Sequence, residues 1–245
     1  MERFTLVLVV DEKHVEQLYY SFPTWIKYKK ELRDCPILVI LDSPVPESYI
    51  RNIIQRPVTF VKWNPPENTY SSQREKMLTS MVTIPPKHVK TPWYVQIDTD
   101  AYALNDTKWI EEEWFNSDTV IVANPWGYTK PANAIELLDD WGDTVEGIKE
   151  FPRLDLPYKL GSSLVRHSRI ASWIIFCKTD WHKSILKFLP HEEYVKLPFP
   201  SQDTFLFYCA TRTKQKVIRH SFKKNGWGNT VSIKKLKAIC ENING

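Results

Sequence analysis

Asp98 and Asp100, with Thr99 between them, follow directly on the apolar run Trp93-Tyr-Val-Gln-Ile97. At the end of an extended strand this spacing turns both carboxylates to one side, where they can share one hard cation, Mg²⁺ or Mn²⁺. The pair alone is a weak signal. A chain with 29 acidic residues meets one Asp-x-Asp by chance, and two acids that merely solvate a strand end are the bland alternative. The apolar strand that feeds the pair favours the cation. Asp42 closes a second apolar run, Pro36-Ile-Leu-Val-Ile-Leu41, and can accept hydrogen bonds from a ribose or a base edge. Arg74 and Lys76 lie on a helical pattern whose apolar side carries Met77, Met81 and Ile84, so they form either a solvated basic face or a phosphate and base contact. Asp203 stands where Pro200-Ser-Gln-Asp203 opens a helix, a place that favours an acid on local grounds alone. Trp126-Gly-Tyr128 either floors a sugar or packs in a turn, and His182, His191 and Glu192 have no metal-ligand spacing.

The elements that must position these residues are clearest in the first half. Phe4–Val10 reads as a strand buried on both faces, His14–Leu32 as a helix, and Pro36–Leu41 as a second strand. Pro46–Ile54 follows as a helix, Val58–Trp63 as a strand, and Ser72–Thr83 as a helix stopped by Pro85-Pro86. Further strands are expected at Thr119–Ala123, Ser172–Cys177 and Lys216–His220, with helices at Ala134–Trp141 and Trp181–Leu189. Alternating strands and helices predict an α/β fold with a mainly parallel sheet, whose ligands bind at the carboxyl ends of the strands. Asp42, Asp98 and Asp100 all fall at such ends.

The segment Trp93-Tyr-Val-Gln-Ile-Asp-Thr-Asp-Ala-Tyr-Ala103 resembles the strand and DxD element of GT-A glycosyltransferases. The strand order, the acid at Asp42 and the basic Gln73-Arg-Glu-Lys76 ahead of the DxD strand are similar to the family over about residues 4–124. The resemblance implies a single GT-A-like domain over 1–245. Its Rossmann-like half, about 1–124, would hold the nucleotide sugar, and an irregular half, about 125–245, would hold the acceptor. It implies Mn²⁺ or Mg²⁺ on Asp98 and Asp100, a UDP- or GDP-linked sugar as donor, and a glycan or glycoconjugate acceptor. Val10, Asp42, Arg74, Lys76, Asp98 and Thr99 are the nucleotide contacts it suggests. His220-Ser-Phe-Lys-Lys-Asn-Gly-Trp227 is similar to the C-terminal element that supplies a third metal ligand, which would make His220 a ligand and Lys223 and Lys224 diphosphate contacts; the alternative for His220 is a surface histidine at a strand end. In inverting members an acid near the place of Asp203 acts as general base, taking the acceptor proton during attack on the anomeric carbon. The Lys-Pro-Trp tail and the Gln-x-x-Arg-Trp element of some members are absent, so no subfamily is selected.

Composition narrows the rivals. At 245 residues, 42% hydrophobic and 25% charged, the chain is an ordinary globular protein, large enough for a substantial core. A sugar-nucleotide pyrophosphorylase would need a glycine-rich loop after the first strand, and that place reads Asp11-Glu-Lys-His14. A nucleic-acid binder could use only the basic run from Arg212 to Lys237, against acids spread over the remainder, so no nucleic-acid partner is expected. A carbohydrate-binding domain without turnover remains the non-catalytic alternative. Four isolated cysteines suit a reducing compartment, and no stretch approaches the ~20 apolar residues of a membrane span. A cytoplasmic protein, at most peripheral to a membrane, is expected.

Overall fold

The structure is a computed structural model that describes residues 2–66, 69–70, 72–116, 118–131, 140–145, 149–151, 164–187 and 202–244. Its centre is a seven-stranded sheet. Strands β1 (Phe4–Val10), β2 (Ile37–Leu41), β3 (Thr59–Lys62) and β4 (Trp93–Ile97) all run parallel, β1 between β2 and β4, with Leu6 opposite Ile37 and Phe4 opposite Trp93. The sheet continues through β7 (Leu164–Lys178), β6 (Thr119–Pro131) and β8 (Lys216–Arg219). Strand β7 is antiparallel to both β4 and β6, whereas β8 is parallel to β6. The sheet is therefore mainly parallel with one reversed strand.

Every residue of β1 is buried, and its alternation assigns them to two faces. Leu6, Leu8 and Val10 join Trp25, Trp109, Phe176 and Trp227 in one core cluster; Val7 and Val9 join Tyr94, Val82, Phe205 and Cys209 in the other. A strand sandwiched in this way explains the unbroken apolar run, and each such side chain contributes about 1.5–3 kcal/mol on burial.

Helix α1 (Glu12–Tyr28) is capped by Asp11, whose side chain accepts from His14 N, so it opens two residues before the expected start. It ends at Tyr28, and a separate 3₁₀ turn, Lys30–Leu32, completes the segment expected as one helix. Helices α2 (Glu47–Ile54) and α3 (Gln73–Thr83) match expectation, and Ser72 caps α3 by accepting from Glu75 N. Pro85-Pro86 does not simply end α3. With no N–H needed in a first turn, Pro85 opens one more turn, α4 (Pro85–His88). After α5 (Glu113–Asn116) come α6 (Thr179–Leu186), α7 (Gln202–Arg212) and α8 (Ile233–Asn244), the last not expected from sequence. The helix expected over 134–141 lies mostly outside the described residues.

A small second sheet pairs β5 (Ala101–Ala103) with β9 (Trp227–Asn229). It begins directly after Asp100 and is tied to α1: Trp25 Nε1 donates to Ala101 O at 2.8 Å and Ala103 N donates to Thr24 Oγ1 at 2.9 Å. Lys29, 1% exposed, clasps the far end. Its Nζ donates to the carbonyls of Asn105 (2.8 Å), Thr107 (3.0 Å) and Asn225 (2.7 Å). Burial lowers its pKa to about 8 even though Glu31 and Asp106 oppose the shift.

Candidate active site

A cavity of about 340 Å³ opens beyond the carboxyl ends of β1 and β4. Strand β4 delivers Gln96, Asp98, Thr99 and Asp100 to it, α1 delivers Lys13, His14 and Gln17, α3 delivers Met77 and Met81, and the first turn of α7 delivers Gln202 and Asp203. Val231, 79% exposed, also lines the cavity. The backbone around the acid pair is fixed from both sides. Asp98 N donates to Trp173 O at 2.9 Å, and Asp100 O accepts from Thr230 N at 3.2 Å.

Three carboxylates thus converge where few cations meet them. Asp98 keeps some exposed surface, yet its carboxyl group is hemmed in by protein. That desolvation, with the charges of Asp100 and Asp203, pushes its pKa up to about 8. Asp100 is 8% exposed and is also raised by burial, with His14 and Lys13 pulling the other way. Its buried Oδ1 has no hydrogen-bond partner. Asp203 Oδ1 accepts from Thr204 N at 2.7 Å, the local contact of a helix-opening acid, while the side chain also lines the cavity.

These features fit a divalent cation. An unpartnered buried carboxylate oxygen beside a second carboxyl group that resists ionisation is what a cation relieves. Among the described residues no three His, Cys, Asp or Glu side chains are grouped to cage a metal. Mg²⁺ and Mn²⁺ sites on phosphate substrates commonly take one or two carboxylates and complete their shell with phosphate oxygens and water, so two aspartates suffice.

A second hollow, about 440 Å³, adjoins the first and shares Lys13 with it. Asp11, Asp42, Ser43, Gln73 and Lys76 line it. Asp42, 1% exposed, accepts from Gln73 Nε2 at 3.0 Å, and its backbone carbonyl accepts from Lys76 Nζ at 2.9 Å. Burial lifts the Asp42 pKa to about 6 against the pull of Lys76. Its Oδ1 is free to accept.

The other residues singled out in the sequence are placed differently. Thr99 lines the cavity but its hydroxyl donates inward to Gln17 Oε1 at 2.7 Å. Val10 is fully buried and its carbonyl accepts from Asp42 N at 3.0 Å, so it supports the hollow rather than lining it. Arg74 stands on α3, with its side chain outside the described residues. His220 does not line the cavity: its ring packs against Trp114 (4.8 Å) and Phe222 (5.0 Å), and burial holds its pKa below the usual value. Lys223 and Lys224 are exposed on a 3₁₀ turn, also away from the lining. The part of the C-terminal region that does reach the site is Thr230 and Val231. His182 is buried against Tyr94, its Nδ1 2.8 Å from the phenol oxygen, and His191 and Glu192 lie outside the described residues. Trp126-Gly-Tyr128 forms part of β6, paired with Ser168 and its neighbours on β7.

Several lining residues had gone unremarked. Gln96 and Gln202 bind each other through both amides, at 3.1 and 2.9 Å, and fasten α7 to β4 beside the acids. A glutamine inside an otherwise apolar strand was the available signal, because a buried amide must find a partner.

No protein-family model matches the chain, and no curated protein matches it in sequence. Solved structures do resemble it. Core-mannan synthase A from Aspergillus fumigatus, in its Mn/GDP form, aligns over 94% of this chain and 75% of its own at 9% identity, with a TM-score of 0.63. The mannosyltransferase Ktr4p from S. cerevisiae aligns over 93% and 70% at 13% identity and a TM-score of 0.58. The galactosyltransferase LgtC, in complex with donor and acceptor sugar analogues, aligns over 99% and 97% at 11% identity and a TM-score of 0.54. At such identities the likeness is one of fold: a mixed α/β unit whose mainly parallel central sheet is flanked by helices, as in these GT-A-type glycosyltransferases.

Proposed function

We propose that this chain is a metal-dependent glycosyltransferase that moves a hexosyl or deoxyhexosyl group from a UDP- or GDP-linked sugar to a hydroxyl of a glycan or glycoconjugate. One observation carries the reading: Asp98, Asp100 and Asp203 converge on one cavity at the carboxyl end of the sheet, with an unpartnered buried oxygen on Asp100 and an Asp98 that resists ionisation. Asp98 and Asp100 would hold Mn²⁺ or Mg²⁺, which neutralises charge on the departing diphosphate. Asp42 and Gln73 hydrogen-bond the nucleoside in the adjoining hollow, with Lys76 holding the Asp42 backbone.

Asp203 serves the acceptor. As the hydroxyl oxygen bonds to the anomeric carbon and the bond from that carbon to the diphosphate oxygen breaks, Asp203 accepts the hydroxyl proton, and inversion follows from attack opposite the leaving group. The Gln96–Gln202 pair holds the helix start that carries it. A pyrophosphorylase reading finds no support at the first strand end, where Asp11 caps α1 and no glycine-rich cradle follows. All four cysteines are free thiols, in keeping with a cytoplasmic setting, and no helix of the described residues is long and apolar enough to cross a membrane.

The test is calorimetric titration of UDP, GDP, CDP and dTDP with Mn²⁺ and with EDTA, on the wild type and on Asp100→Asn. We expect one diphosphate to bind in Mn²⁺, to lose at least tenfold in EDTA, and to bind Asp100→Asn as weakly in Mn²⁺ as in EDTA. Equal affinity with and without the cation overturns the reading.

A further inference from the structure

The two hollows meet at a single side chain. Lys13 lines both the cavity of Asp98, Asp100 and Asp203 and the hollow of Asp42, and it is exposed on the first turn of α1. The charges on either side differ in what they can receive. The Asp42 hollow sets Asp11, Glu12 and Asp42 against Lys13 and Lys76, and the Lys76 ammonium is already bonded to the Asp42 carbonyl. Such a hollow suits neutral hydrogen-bond donors, the hydroxyls of a ribose and the N–H of a base, and repels phosphate. The acid cavity in turn accepts phosphate only beside a cation. A nucleoside diphosphate laid across both hollows therefore places its diphosphate over their junction. The two lysines first expected to meet it, Lys223 and Lys224, lie outside the lining of either.

We propose that Lys13 is the diphosphate-binding residue of the donor site, so that the donor lies with its nucleoside in the Asp42 hollow, its diphosphate against Lys13, and its sugar toward Asp203. This rests on the nucleoside-diphosphate-sugar reading above. Lys13 acts as a point charge at the seam between a nucleoside hollow and an acid cavity, a role that an ammonium on a flexible stem fills without fixed geometry.

The experiment compares Lys13→Gln and Lys13→Arg with the wild type by calorimetry in Mn²⁺. The probes are UDP, GDP, CDP and dTDP and the matching nucleosides uridine, guanosine, cytidine and thymidine. For the base that binds, Lys13→Gln should weaken the diphosphate by about three- to tenfold and leave the nucleoside within about twofold. Lys13→Arg should recover most of the loss, and the difference between wild type and Lys13→Gln should shrink as NaCl is raised from 50 to 500 mM. Because Lys13 is exposed, thermal unfolding of both variants should match the wild type. A diphosphate bound equally by Lys13→Gln and wild type overturns the assignment alone, as does an equal loss for diphosphate and nucleoside. A wild type that binds none of the four diphosphates in Mn²⁺ overturns the glycosyltransferase reading and the assignment with it.

Discussion

Removing the ionisable proton of Asp98 should stabilise the metal-free protein. The carboxyl group titrates near 3.8 in its unperturbed state and at about 8 in the folded chain, so the native protein binds a proton there that the unfolded chain releases between those values. A folded pKa raised above the unfolded one means stability is greatest below about pH 4 and is lost as pH rises toward 8. At pH 7 the difference spans about three pH units at about 1.4 kcal/mol each, an upper bound of about 4 kcal/mol. Part of the Asp98 surface reaches water, which screens the charges of Asp100 and Asp203 that contribute to the shift, so about 2 kcal/mol is the working figure. Asp98→Asn keeps the shape and carries no charge. In EDTA its urea midpoint should match the wild type near pH 4 and exceed it by about 1 M at pH 8, for a slope of about 2 kcal/mol per M. Saturating Mn²⁺ should raise the midpoint of the wild type only, narrowing or reversing the gap. A variant that unfolds at the wild-type midpoint at every pH from 4 to 8 would show that Asp98 carries no such strain.

Two further substitutions separate chemistry from support. Asp203→Asn should lower kcat by about 10²- to 10⁴-fold with donor and Mn²⁺ affinity near wild type, since Asn keeps the side-chain shape and an oxygen for Thr204 N. Near-full turnover, or an NMR assignment of retained anomeric configuration, would remove Asp203 as the base. Lys29→Met should cost about 3 kcal/mol or more in chemical unfolding, because the carbonyls of Asn105, Thr107 and Asn225 lose their shared buried donor. A loss under about 1 kcal/mol would mean that water replaces the ammonium.

Most of the central sheet was legible because buried strands announce themselves locally. Phe4–Val10 and Trp93–Ile97 are apolar at every or nearly every position, and only a strand covered on both faces accepts that. The β5–β9 sheet was not legible. Three-residue strands have no periodicity to read, and this pair is held by a distant segment: Trp25 and Thr24 bond the β5 backbone, and Lys29 clasps the chain just beyond both strands. The reversed direction of β7 was hidden for a related reason, since a single strand carries no mark of its orientation and only its partners on β4 and β6 set it.

The site divides along the same line. The positions of its strand-end acids were legible because strand ends converge in any parallel sheet, which brought Asp98 and Asp100 into one cavity and Asp42 into the adjoining hollow, whereas Asp203 reaches the cavity from a helix start. Its cations were not, because spacing from a Gly-Trp pair says nothing of where a turn points. His220 N donates to Ala123 O and thereby extends the β8 backbone along β6, which sends the imidazole into the Trp114 and Phe222 rings. Lys13 was passed over because the helix was expected to begin at His14, which left it in the connection after β1; Asp11 caps a helix that opens two residues earlier and puts Lys13 in its first turn. What distinguishes it is the neighbour it acquires in three dimensions, an acid cavity in which burial and the charges of Asp100 and Asp203 raise the Asp98 pKa and an oxygen of Asp100 is left unpaired. A chain shaped by stability alone would replace such a cluster with amides or apolar groups, and the Gln96–Gln202 pair, close to Asp98 and Asp203 in sequence, already shows that buried amides can be satisfied there. Retaining three carboxylates at that point makes physical sense when the cluster has a cationic ligand to receive, and it is this local conflict with stability, more than the DxD spacing, that argues for function.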